Sequence, residues 1–397
     1  MSNRLLRKVL LLFFIVSLYS CTTIKGSQEL ISGKEYVEQS YYKKAIDEFS
    51  KGLNKNPEHW KLYYYRGLVY QKLNETEQAI NDLTVALERI AKIKNGYGKL
   101  PNDEWSKIFI ERGRLYEKQG SYQLSIQDYD TAISLAPNSV AAYFYRATIK
   151  SKINQLSSAI KDYCIIIKTF PNISDSDKTM VYLGRSDVYR MQNKLKIALV
   201  DANHAVELSN NWKAFLSRGI TLTKMGNLDS AIQDFNKVID LNPSDATAYL
   251  YKASIELITN CDLEHILDNY YLAIKADNVD KDSLQLAYNQ LAWIFATAAD
   301  NDIRNPGSAL IFAKKAVKIK PDCKNLDTLA VAFASYGKFE DAISTHKKAI
   351  KICKSNTPEL LPQVERHLEY YKFKKKLKEK CPGAYIEKGQ LLEWQQK

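Results

Sequence analysis

Apolar, polar and small positions in this chain recur with a period longer than any one helix or strand. The stretch YYYRGLVY at 63–70 returns as FIERGRLY at 109–116, YFYRATIK at 143–150, YLGRSDVY at 182–189 and FLSRGITL at 215–222. With Lys for Arg it returns once more, as YLYKASIE at 249–256. The residue after the cation is small each time: Gly67, Gly113, Ala147, Ser186, Gly219 and Ala253. Thirteen positions after the cation stand Ala79, Ser125, Ala159, Ala198 and Ala231, then His265. Twenty after it stand Ala86, Ala132, Ile166, Ala205, Val238 and Leu272, and Pro137, Pro171 and Pro243 follow at twenty-five. Small residues at such offsets let two antiparallel helices approach closely, and a proline stops the second. The pattern predicts a succession of helix–turn–helix repeats. An earlier repeat lacks the cation but keeps Gly33, Tyr36, Ala45, Phe49 and Pro57.

Three repeats follow the six clear ones. The seventh, around 246–279, is degraded, with His265 in a small-residue slot. The eighth begins near Tyr288 and has a lengthened turn holding Asn305, Pro306 and Gly307, and the ninth returns to form with Gly337, Phe339, Ala342 and Ala349. The coincident slots resemble the tetratricopeptide repeat, a helix–turn–helix unit of about 34 residues. The resemblance covers most of residues 27–354. It implies an all-α fold, an α-α superhelix (solenoid) of about nine helix pairs, each leaning on its neighbours for a core. Residues 358–380 read as one polar, Lys-rich capping helix and 381–397 as a tail. Insertions interrupt the pattern at 92–105 and around Asn172–Lys178, and neither is long enough to separate two independent domains. The first of them, with Tyr97 and Trp105, reads either as a contact loop or as an extension of its flanking helices.

Each cation has a carboxylate sixteen residues on. Arg66 reaches Asp82, Arg112 reaches Asp128, Arg146 reaches Asp162, Arg185 reaches Asp201 and Arg218 reaches Asp234; Lys252 reaches Asp268 in the same way. In a hairpin turning near the midpoint, residues at this separation face each other. The pattern predicts a ladder of ion pairs within or between repeats, and the competing reading is a stripe of cations awaiting an anionic partner.

In tetratricopeptide arrays the first helices of the repeats line a concave wall. Carried onto this chain, that wall takes Tyr64, Leu68, Ile110, Arg114, Phe144, Thr148, Leu183, Asp187, Leu216 and Ile220. An apolar stripe with scattered polar groups suits an extended peptide or an amphipathic helix. The Lys and Asn clamp by which chaperone-tail-binding members hold a terminal carboxylate is absent at these slots, so that specificity is not implied here.

The chain's beginning adds a location. A basic head, MSNRLLRK, precedes an apolar run from Val9 to Tyr19, too short to span a bilayer and of signal-peptide length. It ends at Leu18-Tyr19-Ser20-Cys21, which resembles the lipobox of bacterial lipoproteins. The resemblance implies a signal peptide at 1–20, diacylglyceryl and acyl groups (palmitate-type) on Cys21, and a short tether over 21–26. Two or more acyl chains anchor stably. Thr22 and Thr23 rather than Asp after the cysteine imply the outer membrane, on its periplasmic or surface side. A secreted form and an uncleaved membrane anchor are the alternatives. The net charge of +12 favours acidic surfaces without naming one. The Lys cluster at 372–378 reads as a solvated cap or as a contact for anionic lipid.

Five histidines are scattered without metal-ligand spacing, and no P-loop, dinucleotide fingerprint or nucleophile elbow is found. No enzymatic activity, cofactor, metal or nucleic-acid partner is expected. Cys164, Cys261, Cys323, Cys353 and Cys381 remain after Cys21. Cys323 opens the ninth repeat and Cys353 closes it, making the pair a candidate disulfide. The expectation is a non-enzymatic scaffold that binds a protein or peptide partner in the cell envelope, or else a stoichiometric subunit of an envelope assembly or secretion complex.

Overall fold

The computed structural model describes residues 26–94, 102–277, 279–372, 375–379 and 382. The described residues form helices almost throughout, and they fall into two compact units, Met1–Ile173 and Ser174–Lys397. The division falls at the shorter of the two insertions, where a single array over 27–354 is expected from sequence. Most of that insertion is a helix start: Ser174 Oγ accepts from the Asp177 amide at 3.1 Å and begins a new first helix.

Among the described residues, the first compact unit contains four helix pairs. These are α1 (Ser27–Glu38) with α2 (Tyr42–Lys55), α3 (Trp60–Lys72) with α4 (Thr76–Lys94), α5 (Asn102–Lys118) with α6 (Tyr122–Leu135), and α7 (Val140–Lys152) with α8 (Leu156–Thr169). The second contains five: α9 (Asp175–Met191) with α10 (Leu195–Leu208), α11 (Trp212–Met225) with α12 (Leu228–Leu241), α13 (Ala246–Thr259) with α14 (Leu263–Lys275), α15 (Lys281–Thr297) with α16 (Pro306–Ile319), and α17 (Cys323–Tyr336) with α18 (Phe339–Asn356). A short 3-10 turn, Pro358–Leu360, then leads into α19 (Leu361–Lys372).

The turn inside each described pair except α15 with α16 has a chemical signature. A residue in the left-handed region follows the first helix at Ser40, Asn74, Gly120, Asn154, Asn193, Gly226, Cys261 and Gly337. Glycine carries no steric penalty there, and asparagine tolerates the conformation better than most residues. The next amide bonds back across the helix end, as in Glu75 N to Tyr70 O at 2.9 Å and Asn227 N to Leu222 O at 2.9 Å. This closure satisfies carbonyls that the helix end would otherwise leave open.

The small slot after each ladder cation is where the two helices of a pair touch. A Cβ on Gly33 would stand 2.2 Å from the Phe49 ring, and one on Gly113 would stand 2.7 Å from the Tyr129 ring. Burial then runs from pair to pair. Ala45, Phe49, Leu53, Leu62 and Val69 join the first two pairs, while Trp60, Leu83, Ile90, Ile108 and Leu115 join the second to the third. In the second unit, one cluster spans α11 to α13 and a larger one continues from α13 to α19. No pair closes a core alone, as expected of a stacked array.

First helices also approach first helices: α1 meets α3, α5 meets α7, α9 meets α11 and α15 meets α17. Each unit therefore has an inner side formed by its first helices.

One expectation needs correction. The segment 358–380 is not one helix. Helix α19 ends at Lys372, and Glu379 forms a parallel bridge with Ala298: its amide donates to Thr297 O at 2.7 Å and its carbonyl accepts from Ala299 N at 2.8 Å. Glu379 Oε2 also accepts from Trp293 Nε1 at 2.9 Å, so a docked strap replaces the last turns of the expected helix. The long insertion at 92–105 is partly helical, with α4 running to Lys94 and α5 starting at Asn102. Trp105 packs partly buried against the core of the second and third pairs, and Tyr97 lies outside the described residues.

Candidate functional site

The repeated arginine is held on two sides. Arg66 Nε and Nη2 donate to the two oxygens of Asp82 at 2.7 and 2.8 Å, a parallel pair of bonds that a lysine could not make. Its Nη1 reaches Ser50 Oγ, on the second helix of the preceding pair, at 2.9 Å. Arg112 grips Asp128 at 2.9 and 2.7 Å and reaches Thr84 at 3.1 Å. Arg146 grips Asp162 at 2.9 and 2.6 Å and reaches Asp130 at 2.6 Å. In the second unit Arg185 grips Asp201 at 2.8 and 2.7 Å, and Arg218 grips Asp234 at 2.8 and 2.7 Å. The aspartates are buried and the arginines only partly exposed.

The ladder thus acts both within and between pairs. The carboxylate belongs to the arginine's own pair, and the further contact lies two residues past the equivalent carboxylate of the preceding pair. Such partly buried ion pairs fix register more than they add net stability. The seventh repeat departs from the pattern: Lys252 and Asp268 form no ion pair among the described residues. Glu256 instead accepts from Asn269 Nδ2 at 3.0 Å and meets His265 Nδ1 at 3.1 Å, which accounts for a histidine in that slot.

The inner face of the first unit is aromatic and cationic. Tyr64 packs half-buried on Trp60 and Tyr65, with ring centroids 6.4 and 5.1 Å apart. Burial first, and then the Glu111 charge, push its hydroxyl up to about 12. Arg114 is exposed, pairs with Glu111 at 3.1 Å and lies 5.2 Å over the Tyr145 ring. Beside it is a cleft of about 430 Å³ lined by Gln71, Arg114, Leu115, Glu117, Lys118 and Lys152. Lys152 bonds Glu117 at 2.5 Å and Lys118 bonds Asn74 at 2.8 Å, so side chains from neighbouring pairs tie its walls. Leu68 is half-buried, while Phe144 and Thr148 both meet Tyr163 of α8, the ring at 5.9 Å and the hydroxyl at 3.3 Å.

The inner face of the second unit is organised around a salt link that reading two residues either side of the ladder arginine could not reach. Asp187 Oδ1 accepts from Arg190 Nη2 at 2.7 Å and from Ser217 Oγ at 3.3 Å. Arg190 Nη1 contacts Ser217 O and Oγ at 3.4 Å and Thr221 Oγ1 at 3.5 Å, linking α9 to α11. Leu183 and Leu216 are half-buried. Ile110 and Ile220 are corrections. The offsets place both in the groove lining, but they are 7% and 4% exposed and belong to hydrophobic clusters, because their faces turn into the neighbouring helices.

A third constellation was not anticipated from sequence. Asp327 on α17, fully buried, meets His346 Nδ1 of α18 at 3.1 Å and His367 Nδ1 of α19 at 2.8 Å. The second ring nitrogen of His346 bonds Val364 O. Burial alone would raise the Asp327 carboxyl, but the His367 charge and both histidine bonds hold it down to about 2. His367 is raised: burial opposes its charge, and the Asp327 carboxylate more than offsets this. Cys323 and Cys353 are disulfide-bonded across α17 and α18 with Cα atoms 5.3 Å apart. The histidines are 21 residues apart and no local motif marks them. Cys21 lies outside the described residues.

Tetratricopeptide-repeat family models match residues 106–139 and 212–245, the third and sixth helix pairs. The chain therefore carries tetratricopeptide repeats in both compact units, on an all-α solenoid fold. It is similar to a tetratricopeptide repeat protein from Parabacteroides merdae whose crystal structure is known, with a TM-score of 0.52 at 16% identity over 65% of this chain and 96% of that one. Human mitochondrial import receptor subunit TOM70 is 23% identical over 64% of this chain and 41% of its own length. The TPR repeat-containing protein MJ1428 of Methanocaldococcus jannaschii is 22% identical over 90% of this chain and 56% of its own. The chain thus spans about half the length of these two relatives.

Proposed function

We propose that this chain is a non-enzymatic scaffold that binds protein or peptide partners on the inner faces of its first helices, and that a lipid on Cys21 holds it at a bacterial cell envelope, at the outer membrane. The observation that carries the binding reading is the composition of those faces. Half-buried aromatic and aliphatic side chains (Tyr64, Leu68, Leu183, Leu216) alternate with exposed or half-exposed charge (Arg114, Asp187) on helices already fixed by the ladder. A preformed surface of this kind binds without first paying for its own ordering. That the human relative is named as an import receptor subunit supports a receptor-like role for such an array.

The envelope reading rests on the leader and its lipobox-like end. The Cys323–Cys353 disulfide supports it, since structural disulfides persist in oxidising compartments. The test is co-purification of the full chain from detergent-solubilised membranes of its native host. Arg114→Glu, on the exposed inner face, reduces partner recovery while leaving helix content by circular dichroism unchanged. Cys21→Ser moves the protein from the detergent phase to the aqueous phase. Equal recovery with Arg114→Glu counts against the groove, and unchanged partitioning of Cys21→Ser counts against the anchor.

A further inference from the structure

The chain has six cysteines. Cys164 is a thiol, Cys323 and Cys353 bond each other, and Cys261 is disulfide-bonded as well. Within one chain, the partner of Cys261 is therefore Cys21 or Cys381, both outside the described residues. A thioether lipid on Cys21 leaves that sulfur unable to join a disulfide, so on the lipid-anchor reading the partner is Cys381.

Position agrees with this elimination. Cys261 takes the left-handed place after α13, with φ 55°, where Ser, Asn or Gly stands in the other pairs that share this turn. Cysteine brings no advantage to such a turn, so its sulfur and not its backbone accounts for it. Helices α13 and α15 are first helices of successive pairs and meet, so the turns after them lie at the same end. Packed helices stand about 8–10 Å apart. Glu379 is bonded to the chain leaving α15, through Thr297 O and Ala299 N. Two residues on, Cys381 reaches at most about 7 Å from Glu379, and a disulfide spans about 4.4–6.8 Å between Cα atoms. Together those reaches cover the gap between the helices. The strap also heads the right way, from α19 at the far end of the stack back to α15. Leu377 packs on the cluster that Leu257, Cys261 and Leu263 share, and Pro382 is buried.

We infer that Cys261 is disulfide-bonded to Cys381, and that this bond locks the strap as a built-in cover over the inner side of the last pairs. Tyr64, Phe144, Leu183 and Leu216, three residues before the small slot in four earlier pairs, are half-buried. Leu250 and Asp327 hold the same place and are 3% and 0% exposed (Ala330 stands seven before Gly337, as Gly219 does before Gly226). His367 lies on Asp327 and, at 5.4 Å between rings, on Trp293, whose indole N–H Glu379 holds. While the bond is intact, the inner side open to a partner is that of the preceding pairs. Reduction reverses the lock. A dithiol reductant supplies two electrons and two protons, the S–S bond breaks, Cys261 and Cys381 become thiols, and the reductant's own thiols close to a disulfide.

The pairing is read on the full chain, isolated oxidised, alkylated with N-ethylmaleimide, digested with trypsin without reduction and analysed by mass spectrometry. Peptides 253–275 and 381–388 should appear joined, and should separate on adding dithiothreitol. Cys261 recovered as its maleimide adduct, or joined to any other cysteine, overturns the pairing, as does a covalent dimer on a non-reducing gel. A link to Cys21 would overturn the lipid anchor too, whereas the other failures leave the anchor standing.

Hydrogen exchange tests the lock. In Cys381→Ser the Cys323–Cys353 bond remains, and exchange at the Ala299 and Glu379 amides should rise about tenfold or more as the strap loses its tether, with α11 and α12 at wild-type rates. Cys261→Ser, at the other end of the bond, should give the same rise. Unchanged exchange at these two amides, or a rise in only one of the variants, sinks the lock.

Discussion

The residue after each ladder cation is matched to the residue seventeen positions after that cation. Glycine stands opposite Leu83, Tyr129 and Phe235 and, in the first repeat that lacks the cation, opposite Phe49; alanine stands opposite Tyr163 and Asn269, and serine opposite Ala202. Gly113→Ala would put a Cβ 2.7 Å from the Tyr129 ring, an overpacking we expect to cost about 1–3 kcal/mol. Gly67→Ala meets the Leu83 methyl at 3.2 Å and Ala79 O and Asp82 Cβ at 3.3 Å, a looser fit than at Gly113, and the helix-propensity gain of about 1 kcal/mol offsets part of the crowding. Urea midpoints for the two variants should therefore separate, and equal midpoints would refute the matching. Arg66→Ala leaves Asp82 buried without its guanidinium, and we expect a loss of about 3 kcal/mol. Urea unfolding reads that loss, and the same variant should keep its partner, as the inner face is untouched. Ladder and small slots were legible because both sit at fixed offsets. The second grip, as in Arg66 to Ser50, was not, because it pairs residues of different repeats and depends on how the pairs stack.

At the scale of elements, the end of the second unit is fastened by three devices of different chemistry. The disulfide closes a loop of 30 residues between α17 and α18, for which loop-closure entropy gives about 3–4 kcal/mol. Cys323→Ala should lose about that much in urea unfolding, and dithiothreitol should lower the wild-type midpoint at least as far, since Cys261 is disulfide-bonded too. The Asp327–His367 link adds a pH dependence. Asp327 is lowered to about 2, so its contribution is present above the ordinary carboxylate range and fades as pH falls toward 2. His367 is raised, so its contribution is full below about 6.5 and is lost as pH rises through the folded value. His346 touches the same carboxylate, while Glu379 supports the His367 charge and Arg366 opposes it. Unfolding midpoints should therefore peak in mildly acidic solution and fall on either side. Asp327→Asn should flatten both limbs, and an unchanged pH profile would contradict the assignment. The helices themselves were legible from spacing. The strap was not: Lys-rich sequence after Lys372 reads as continuing helix, and nothing local shows that Glu379 will pair with Trp293 and Thr297.

For the whole molecule, helix pairing comes from sequence spacing, and the division into two compact units comes from the folded chain. No helix among the described residues is long and apolar enough to cross a membrane, so the proposed membrane attachment rests on the leader and Cys21. Reading the first helices by offset placed Arg114 and Asp187 among partly exposed inner residues but put Ile110 and Ile220 there too. Offsets give the angle around a helix, not the depth to which a neighbouring helix covers it. Arg190 was missed because its pairing with Asp187 matters only once α11 is in place.

The central claim is that partners sit on the inner faces. It is tested most directly by photo-cross-linking in living cells, with p-benzoylphenylalanine at Tyr64 and Leu183 on first helices. Controls carry it at Leu124 and Ile197, exposed positions on second helices. One or a few dominant protein adducts from Tyr64 or Leu183, absent from Leu124 and Ile197, is the result this account requires. Adducts confined to the second-helix positions, in cells where all four variants are folded and abundant, would contradict it.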